Sequence, residues 1–360
     1  MAENQLIRVA VDAMGGDNAP SAPIKGAIDA LNENPRISLL FMGDEQQIQE
    51  ELKTLQYDST RVSVVHCTQK IEMAEPPAAA IQKKKDSSIV KGMMAVRKGE
   101  ADAFVSAGST GAVLVGGQVL VGRVKGVERP PLAALIPTEK GVSLLIDCGA
   151  NVDPRPTWLL QFAEMGSIYL EHALGIKNPT VGILNIGAEE EKGNALVKET
   201  FPLLKACKEI NFIGSVEARD IPGGAADVIV TDAFSGNVLM KMYEGTASTI
   251  YHIAKKGLMS SIPGMLGGLL AKGTLKKVLK DFDASKYGGA PLLGLKGLVV
   301  KAHGSSKPVE FRIAVNQCET FYRENVNGKI RERMESEALK IRELKKKQAP
   351  SAAAAAEKTE

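Results

Sequence analysis

Residues 7–44, IRVAVDAMGGDNAPSAPIKGAIDALNENPRISLLFMGD, decide the fold. Ile7–Val11 is a short, nearly continuous apolar run, the pattern of a strand buried on both faces. Met14-Gly15-Gly16-Asp17 turns the chain, Pro20–Asn32 has helical periodicity, and Ser38–Met42 is a second apolar run. The alternation continues. Further apolar runs lie at Val62–Val65, Ala103–Ser106, Leu132–Ile136, Ser143–Asp147, Thr180–Asn185, Asn211–Ser215, Asp227–Thr231 and Leu298–Val300. Helical segments Glu45–Leu55, Ile89–Lys98, Trp158–Leu174 and Ala195–Ile210 fall between many of them. Such alternation predicts a three-layer α/β/α architecture with a mostly parallel sheet covered on both faces. In these sheets a ligand sits at the carboxyl ends of the strands, where Gly-rich loops lead into helices.

Composition narrows the function. The chain has 360 residues, 45 Lys and Arg against 42 Asp and Glu, and only 4% aromatics. A net charge of +3 implies no general nucleic-acid binder, and so few aromatics argue against base-stacking platforms. Cys67, Cys148, Cys207 and Cys318 form no C-x-x-C pair, which reads as reduced, buried thiols of a cytoplasmic protein. Met-Ala-Glu-Asn-Gln at the start lacks a basic region and apolar core, so no signal peptide is expected. No window holds the ~20 uninterrupted apolar residues of a membrane span.

Familiar catalytic motifs are missing. There is no Walker A loop, no G-x-G-x-x-G after the first strand, no G-x-S-x-G elbow and no H-E-x-x-H zinc helix. The residues five positions after His66, His172, His252 and His303 are Ile71, Lys177, Gly257 and Pro308, so the His-x4-Asp pair of glycerol-phosphate acyltransferases is also absent. What remains is a set of strand-end loops. Ser106-Ala107-Gly108-Ser109-Thr110-Gly111-Ala112 offers backbone N–H groups and hydroxyls for an anion, or is a Ser/Thr-capped βα turn. Asp147–Asp153 could orient a substrate, while Asx turns use the same residues. Asn185–Asn194 places Lys192 among three acids, either as a ligand-edge lysine or as part of a solvated charge run. Thr231–Asn237 has the same setting, and Lys301–Lys307 gathers a histidine, two serines and two lysines.

Together these stretches, with Val9–Asp17 and Tyr287–Leu295, resemble the bacterial phosphate acyltransferase PlsX family over residues 7–325, in order and with matching spacing. Departures are small: Ser109 stands where many members have Asn, and Cys148 and Ala233 lie at variable loop positions. The resemblance implies acyl transfer from acyl-[acyl carrier protein] to inorganic phosphate, giving acyl phosphate for phosphatidic acid synthesis. It also implies an isocitrate/isopropylmalate-dehydrogenase-like fold related to phosphotransacetylases, a homodimer, and a cytoplasmic enzyme that touches the membrane peripherally. A downstream membrane acyltransferase follows as a further partner.

That chemistry needs a dry anion cradle and a stabiliser for the developing oxyanion; the thiolate leaves readily, so no metal, cofactor or covalent nucleophile is required. We expect phosphate at the Ser109, Thr110 and Gly111 amides and at Ser305 and Ser306. Asp12, Gly15, Gly16, Asn151 and Asn194 complete the expected binding set. Lys192 is expected to neutralise phosphate or the tetrahedral oxyanion, and Asp232 to take the phosphate proton or orient the lysine. Asn237 would donate to the carbonyl, and His303 would protonate the departing thiol.

Residues 1–344 are read as one catalytic domain, and the Ala-rich stretch 345–360 as a disordered tail. Within the domain, 255–281 breaks the pattern and is read as an amphipathic helical hairpin. Leu258, Met259, Ile262 and Met265, with Leu266, Leu269 and Leu270, form an apolar set flanked by Lys255, Lys256, Lys272, Lys276, Lys277 and Lys280. This composition suits either contact with an anionic leaflet or burial at a dimer interface. Lys83-Lys84-Lys85, Lys91, Arg97 and Lys98 are candidates for docking an acidic carrier protein, or a solvated face. The rival functions are a phosphotransacylase using acyl-CoA, a non-catalytic membrane scaffold and a dehydrogenase of related fold. The lysine-flanked segment argues against the first, and the polar strand ends against the second. The third lacks a nucleotide fingerprint and an acidic metal cluster.

Overall fold

The structure, a computed structural model, describes residues 6–281 and 284–336. The stretch 345–360 read as a tail lies outside the described residues. The first part of the chain runs β1 (Ile7–Asp12), α1 (Ser21–Glu33), β2 (Ile37–Gly43), α2 (Glu45–Leu52), β3 (Val62–His66), α3 (Pro77–Lys83), α4 (Ser88–Lys98), β4 (Ala103–Ser106) and α5 (Thr110–Gly116). It continues through β5 (Ala133–Thr138), β6 (Gly141–Ile146), α6 (Pro156–Ala173), β7 (Thr180–Asn185), α7 (Ala195–Ala206), β8 (Asn211–Glu217) and β9 (Val228–Val230). Two long helices follow, α8 (Ala233–Leu258) and α9 (Ile262–Asp281). The chain then returns through β10 (Ala290–Pro291), β11 (Leu298–Lys301) and α10 (Pro308–Arg323).

The strands make two sheets, ordered β10-β11-β4-β1-β2-β3 and β5-β6-β9-β7-β8. All pairings are parallel except β10 with β11 and β5 with β6. A lone antiparallel bridge between Leu132 and Leu292 joins the two edges. The ladder does not close there because β10 is two residues long and Pro291 has no N–H to donate.

Side-chain alternation assigns the layers. Val9 and Val11 of β1 share a buried cluster with Ile24 and Leu31 of α1 and with Phe311 and Val315 of α10. Ala10 and Phe104 face the other way, against Met93 of α4. Both clusters run on into the second sheet, through Leu144, Ile146 and Phe162 on one face and Leu145 and Ile229 on the other. Fully burying a side chain the size of Phe104 is worth ~1.5–3 kcal/mol. Helix α4 can lie this close because a Cβ at Gly92 would fall 2.2 Å from the Phe104 ring. Ser87 caps its start through Val90 N at 3.4 Å, and Gly99 at φ +72° ends it in the left-handed conformation that glycine adopts freely.

Helix α8 starts at the sheet edge, with Asp232 accepting from Ser235 N at 2.8 Å as its N-cap. It runs 26 residues, ~39 Å. The first arm of the hairpin therefore begins at Ala233, and residues 255–258 are only its last turn. Nothing in the sequence between Asp232 and Leu258 breaks the helix, which is why the boundary moves. The α9 residues Ile262, Met265, Leu266, Leu269 and Leu270 recur at helical spacing and are exposed, as are Leu258 and Met259.

Candidate active site

Three parallel strands of the first sheet end together. Register pairs Lys301 of β11 with Ser106 of β4, and Val11 of β1 with Val105, so Asp12, Ser106 and Lys301 finish on one edge. Ser106 Oγ donates to Asp12 Oδ2 at 2.6 Å, Gly108 N donates to Ser106 Oγ at 3.0 Å, and Met14 N donates to Asp12 Oδ1 at 3.1 Å. Burial pushes the Asp12 carboxyl above the ordinary carboxylate range, against hydrogen bonds from Ser106, Ser88 and Met14 and the charge of Lys301. Burial also pushes the Lys301 ammonium down to about 8, opposed by Asp12 and Asp17. Gly15 is required here. A Cβ at that position would stand 2.3 Å from Asp12 Oδ2 and 2.7 Å from Gly108 N.

The turn after β11 closes over this edge. Asp17 N donates to Gly304 O at 2.8 Å, and Asn18 Nδ2 donates to the carbonyls of Ser305 and Ser306 at 3.0 and 3.1 Å. These contacts bind the Gly15–Gly16 turn to the Ser305–Ser306 turn, so the two sequence-predicted loops are brought together. Gly16 sits at φ +97°, and a Cβ there would meet Gly304 O at 2.9 Å. Ser305 N donates to His303 Nδ1 at 3.3 Å, and the Ser305 hydroxyl lies 2.8 Å from the same nitrogen. The Ser306 hydroxyl is buried and has no hydrogen-bond partner among the described residues. Ser109 caps the helix that opens the neighbouring loop, with Ala112 N donating to its Oγ at 3.5 Å.

The second sheet has its own strand-end assembly. Asp147 is fully buried and accepts five hydrogen bonds: Leu132 N, Gly149 N and Ala150 N at 3.0 Å, Asn151 N at 2.8 Å and Asn151 Nδ2 at 2.7 Å. Burial pushes its carboxyl up, and these N–H donors pull it back. Every lone pair is occupied, so this aspartate ties the loop rather than meeting a ligand. Asn151 also donates to Pro130 O at 3.1 Å, and its carbonyl receives Ala233 N at 2.9 Å. Asn237 Nδ2 donates to Cys148 O at 3.0 Å, while a Cβ at Gly236 would be 2.0 Å from Asp147 O. The start of α8, with Asp232 and Asn237, is thereby seated on the Asp147 loop.

Lys192 and Asn194 belong to a third loop. Asn185 Nδ2 donates to Lys192 O at 3.2 Å and Asn194 caps α7 through Val197 N at 2.9 Å. The Lys192 ammonium is exposed and paired with Glu189 Oε2 at 2.8 Å, which holds its pKa above the ordinary lysine value. Among the described residues no hydrogen bond or ion pair links Lys192 or Asn194 to the His303 turn or to Asp232. The sequence placed Lys301 and Ser106 in candidate anion-binding stretches without giving either a role of its own, and Ser88 went unnoticed. The signal for Lys301 was available: a lysine that ends an otherwise apolar strand is buried at a cost and therefore needs an anion nearby.

The two mostly parallel sheets covered by helices form a three-layer α/β fold with candidate anion-binding loops at the strand ends, a fold shared with a phosphotransacetylase. A phosphotransacetylase from Streptococcus pyogenes superposes with a TM-score of 0.57 at 17% identity, over 88% of this chain and 94% of that one. A family model described as fatty acid synthesis protein matches residues 7–329. Proteins named phosphate acyltransferase are similar along nearly the whole chain. One from Clostridium novyi (strain NT) is 46% identical over 92% of this chain and 100% of its own length. Another, from Clostridium beijerinckii, is 47% identical over the same shares. The chain belongs to this phosphate acyltransferase family and is an acyltransferase.

Proposed function

We propose that the enzyme transfers a fatty acyl group from acyl-[acyl carrier protein] to inorganic phosphate, supplying acyl phosphate for phospholipid synthesis. The observation that carries this reading is one turn, 301–306, holding both a buried ammonium with depressed pKa and a buried serine hydroxyl without a partner. The Lys301 ammonium donates to Ala302 O and faces Asp12 and Asp17, yet burial still lowers its pKa, and the Ser306 hydroxyl has no partner among the described residues; a phosphate would serve both at once. Phosphate lies between this turn and the Ser109–Gly111 amides. Its oxygen attacks the thioester carbonyl carbon, the C–S bond breaks, and the sulfur leaves with a proton from His303 or solvent. Asp232 accepts the phosphate proton, and Asn237 exchanges its Cys148 bond for the substrate carbonyl. Lys192 leaves Glu189 for the phosphate or the oxyanion. Its present pair is exposed and therefore weakly held.

The exposed stripe of α9, with Lys255, Lys256 and Lys272 beside it, rests on an anionic leaflet, next to the membrane acyltransferase that consumes the product. No helix among the described residues is long and apolar enough to cross a membrane. Val238, Met242, Ile250 and Ile253 of α8 are also exposed and would be covered by a second copy in a homodimer. The deciding experiment incubates the protein with palmitoyl-[acyl carrier protein], with and without phosphate, and traps acyl phosphate with hydroxylamine. Phosphate-dependent hydroxamate supports the reading. Product from acyl-CoA alone would give the enzyme a different donor, and silence with both would leave the transfer reaction unsupported.

A further inference from the structure

Of the six cations around 83–98 that are candidates for carrier docking by sequence, three are paired with acids of their own surface and Lys85 and Arg97 donate to the backbone carbonyls of Ile81 and Leu120. Lys84 pairs with Glu75 at 2.6 Å, Lys91 with Asp86 at 2.5 Å and Lys98 with Glu100 at 3.8 Å. A different cationic feature borders the Asp147 loop. Trp158, the chain's single tryptophan, has the Arg129 guanidinium 5.3 Å and the Arg155 guanidinium 5.9 Å from its ring centroid. Both arginines are exposed. Among the described residues neither forms an ion pair, and the side-chain hydrogen bond of Arg129 goes to the neutral Gln118 Oε1 at 3.1 Å.

The acid between them is otherwise engaged. Glu128 Oε2 accepts from Trp158 Nε1 at 2.6 Å and Oε1 accepts from Thr157 Oγ1 at 3.4 Å, so this carboxylate fixes the ring. Asp153 is the other acid of the loop, and it is exposed. A held indole with two guanidiniums beside it is a preorganised surface. Arginine and tryptophan are the residues that anchor interfaces, and a guanidinium takes a carboxylate through two parallel N–H donors.

Its place matters as much as its charge. Residues 128–132 and 147–158 are the same segments that build the Asp147 loop, through Leu132 N and Asn151. Gln118, which holds Arg129, lies eight residues beyond Thr110, ~12 Å along the helical segment that Ser109 caps. The platform thus shares its segments with the Asp147 loop and is tied through Gln118 to the helical segment that the Ser109 loop opens.

We propose that Arg129, Arg155 and Trp158 form the docking surface for an acidic helix of the protein that delivers the acyl thioester. This rests on the carrier-protein donor proposed above. The test replaces both arginines, Arg129→Glu with Arg155→Glu, and measures turnover with palmitoyl-[acyl carrier protein] at several salt concentrations. KM for the acyl carrier should rise about tenfold or more and lose most of its salt dependence, while kcat and KM for phosphate stay within about twofold. The double Arg→Lys variant should recover part of the loss. Trp158 supplies a second readout: its fluorescence should titrate saturably with holo-carrier in the parent protein and not in the double Glu variant. An unchanged KM and an unchanged titration would overturn the proposal, and so would a fall in kcat alone. An equal rise in KM for acyl-CoA would overturn it too, since a small donor does not need a protein-docking face. Lost binding to anionic vesicles with unchanged carrier KM would assign the patch to lipid instead. Failure of the parent enzyme to use the acyl carrier at all would remove the donor reading itself, a result distinguishable from any of these.

Discussion

Replacing Lys301 by methionine should make the phosphate-free protein more stable while removing its response to phosphate. Burial lowers this ammonium from 10.5 to about 8, which corresponds to a cost of about 3 kcal/mol for keeping it charged at neutral pH. Methionine has similar length and no charge, so that cost disappears. Part is lost again because Asp12 and Asp17 no longer face a cation. A net gain of ~1–2 kcal/mol remains, or roughly 2–4 °C in the unfolding midpoint. The sign with pH follows from the depressed value. The cost of the charged lysine is fully present below about 8 and fades as pH rises toward 10.5, so the two proteins should converge in stability over that range. Phosphate at a hundredfold excess over its Kd should stabilise the parent by about 2.7 kcal/mol and the variant not at all. In the parent, the contribution of Lys301 to phosphate affinity should be independent of pH below about 8, where the ammonium is charged, and weaken up to about tenfold per pH unit above it. Thermal unfolding at pH 7 and 9.5, with and without phosphate, measures all of this. A variant less stable than the parent at pH 7, or equally protected by phosphate, would refute the assignment of a desolvated, anion-seeking lysine.

Lys192→Ala should cut kcat by roughly two decades or more if its ammonium meets charge that develops in the transition state; near-normal turnover in steady-state assays removes it from the site. Asp147→Asn should destabilise the fold by ~2–5 kcal/mol in urea unfolding, because all five partners of the carboxylate are N–H donors and an amide nitrogen would leave two of them unpaired. A loss under 1 kcal/mol would mean the loop has other means of closure. Paired Leu266→Glu and Leu269→Glu substitutions should abolish co-sedimentation with anionic vesicles and leave acyl-phosphate formation in solution intact; a variant that still pellets counts against the leaflet contact.

Much of the fold is legible locally. The apolar runs at Ile7–Val11, Thr180–Asn185 and Leu298–Val300 are strands because short stretches dominated by Val, Ile and Leu are best satisfied by burial on both faces. The strand-end loops were legible for the same reason, since a parallel sheet presents its ligands there. The turn into a helix at Thr231–Asn237 was legible too, but not that this helix runs unbroken to Leu258 and so supplies the first arm of the 255–281 hairpin. The division into two sheets turns on the isolated bridge between Leu132 and Leu292, residues 160 positions apart, where the neighbouring Pro291 has no N–H to extend the ladder.

By itself the sequence determined the layered α/β architecture, the family, and the Gly, Ser, Asp and His residues gathered at the strand ends. Those follow from periodicity and side-chain chemistry carried along the chain. Only the tertiary structure decided which of those residues are spent and which are free to act. Asp147 looked available and is saturated by five donors; Ser306, expected at the phosphate site, is buried and among the described residues its hydroxyl has no partner. Lys301 became notable only through its burial beside Asp12, and Trp158 through the arginines folded toward it. Solvation and hydrogen-bond occupancy are set by neighbours distant in sequence, so no local pattern records them.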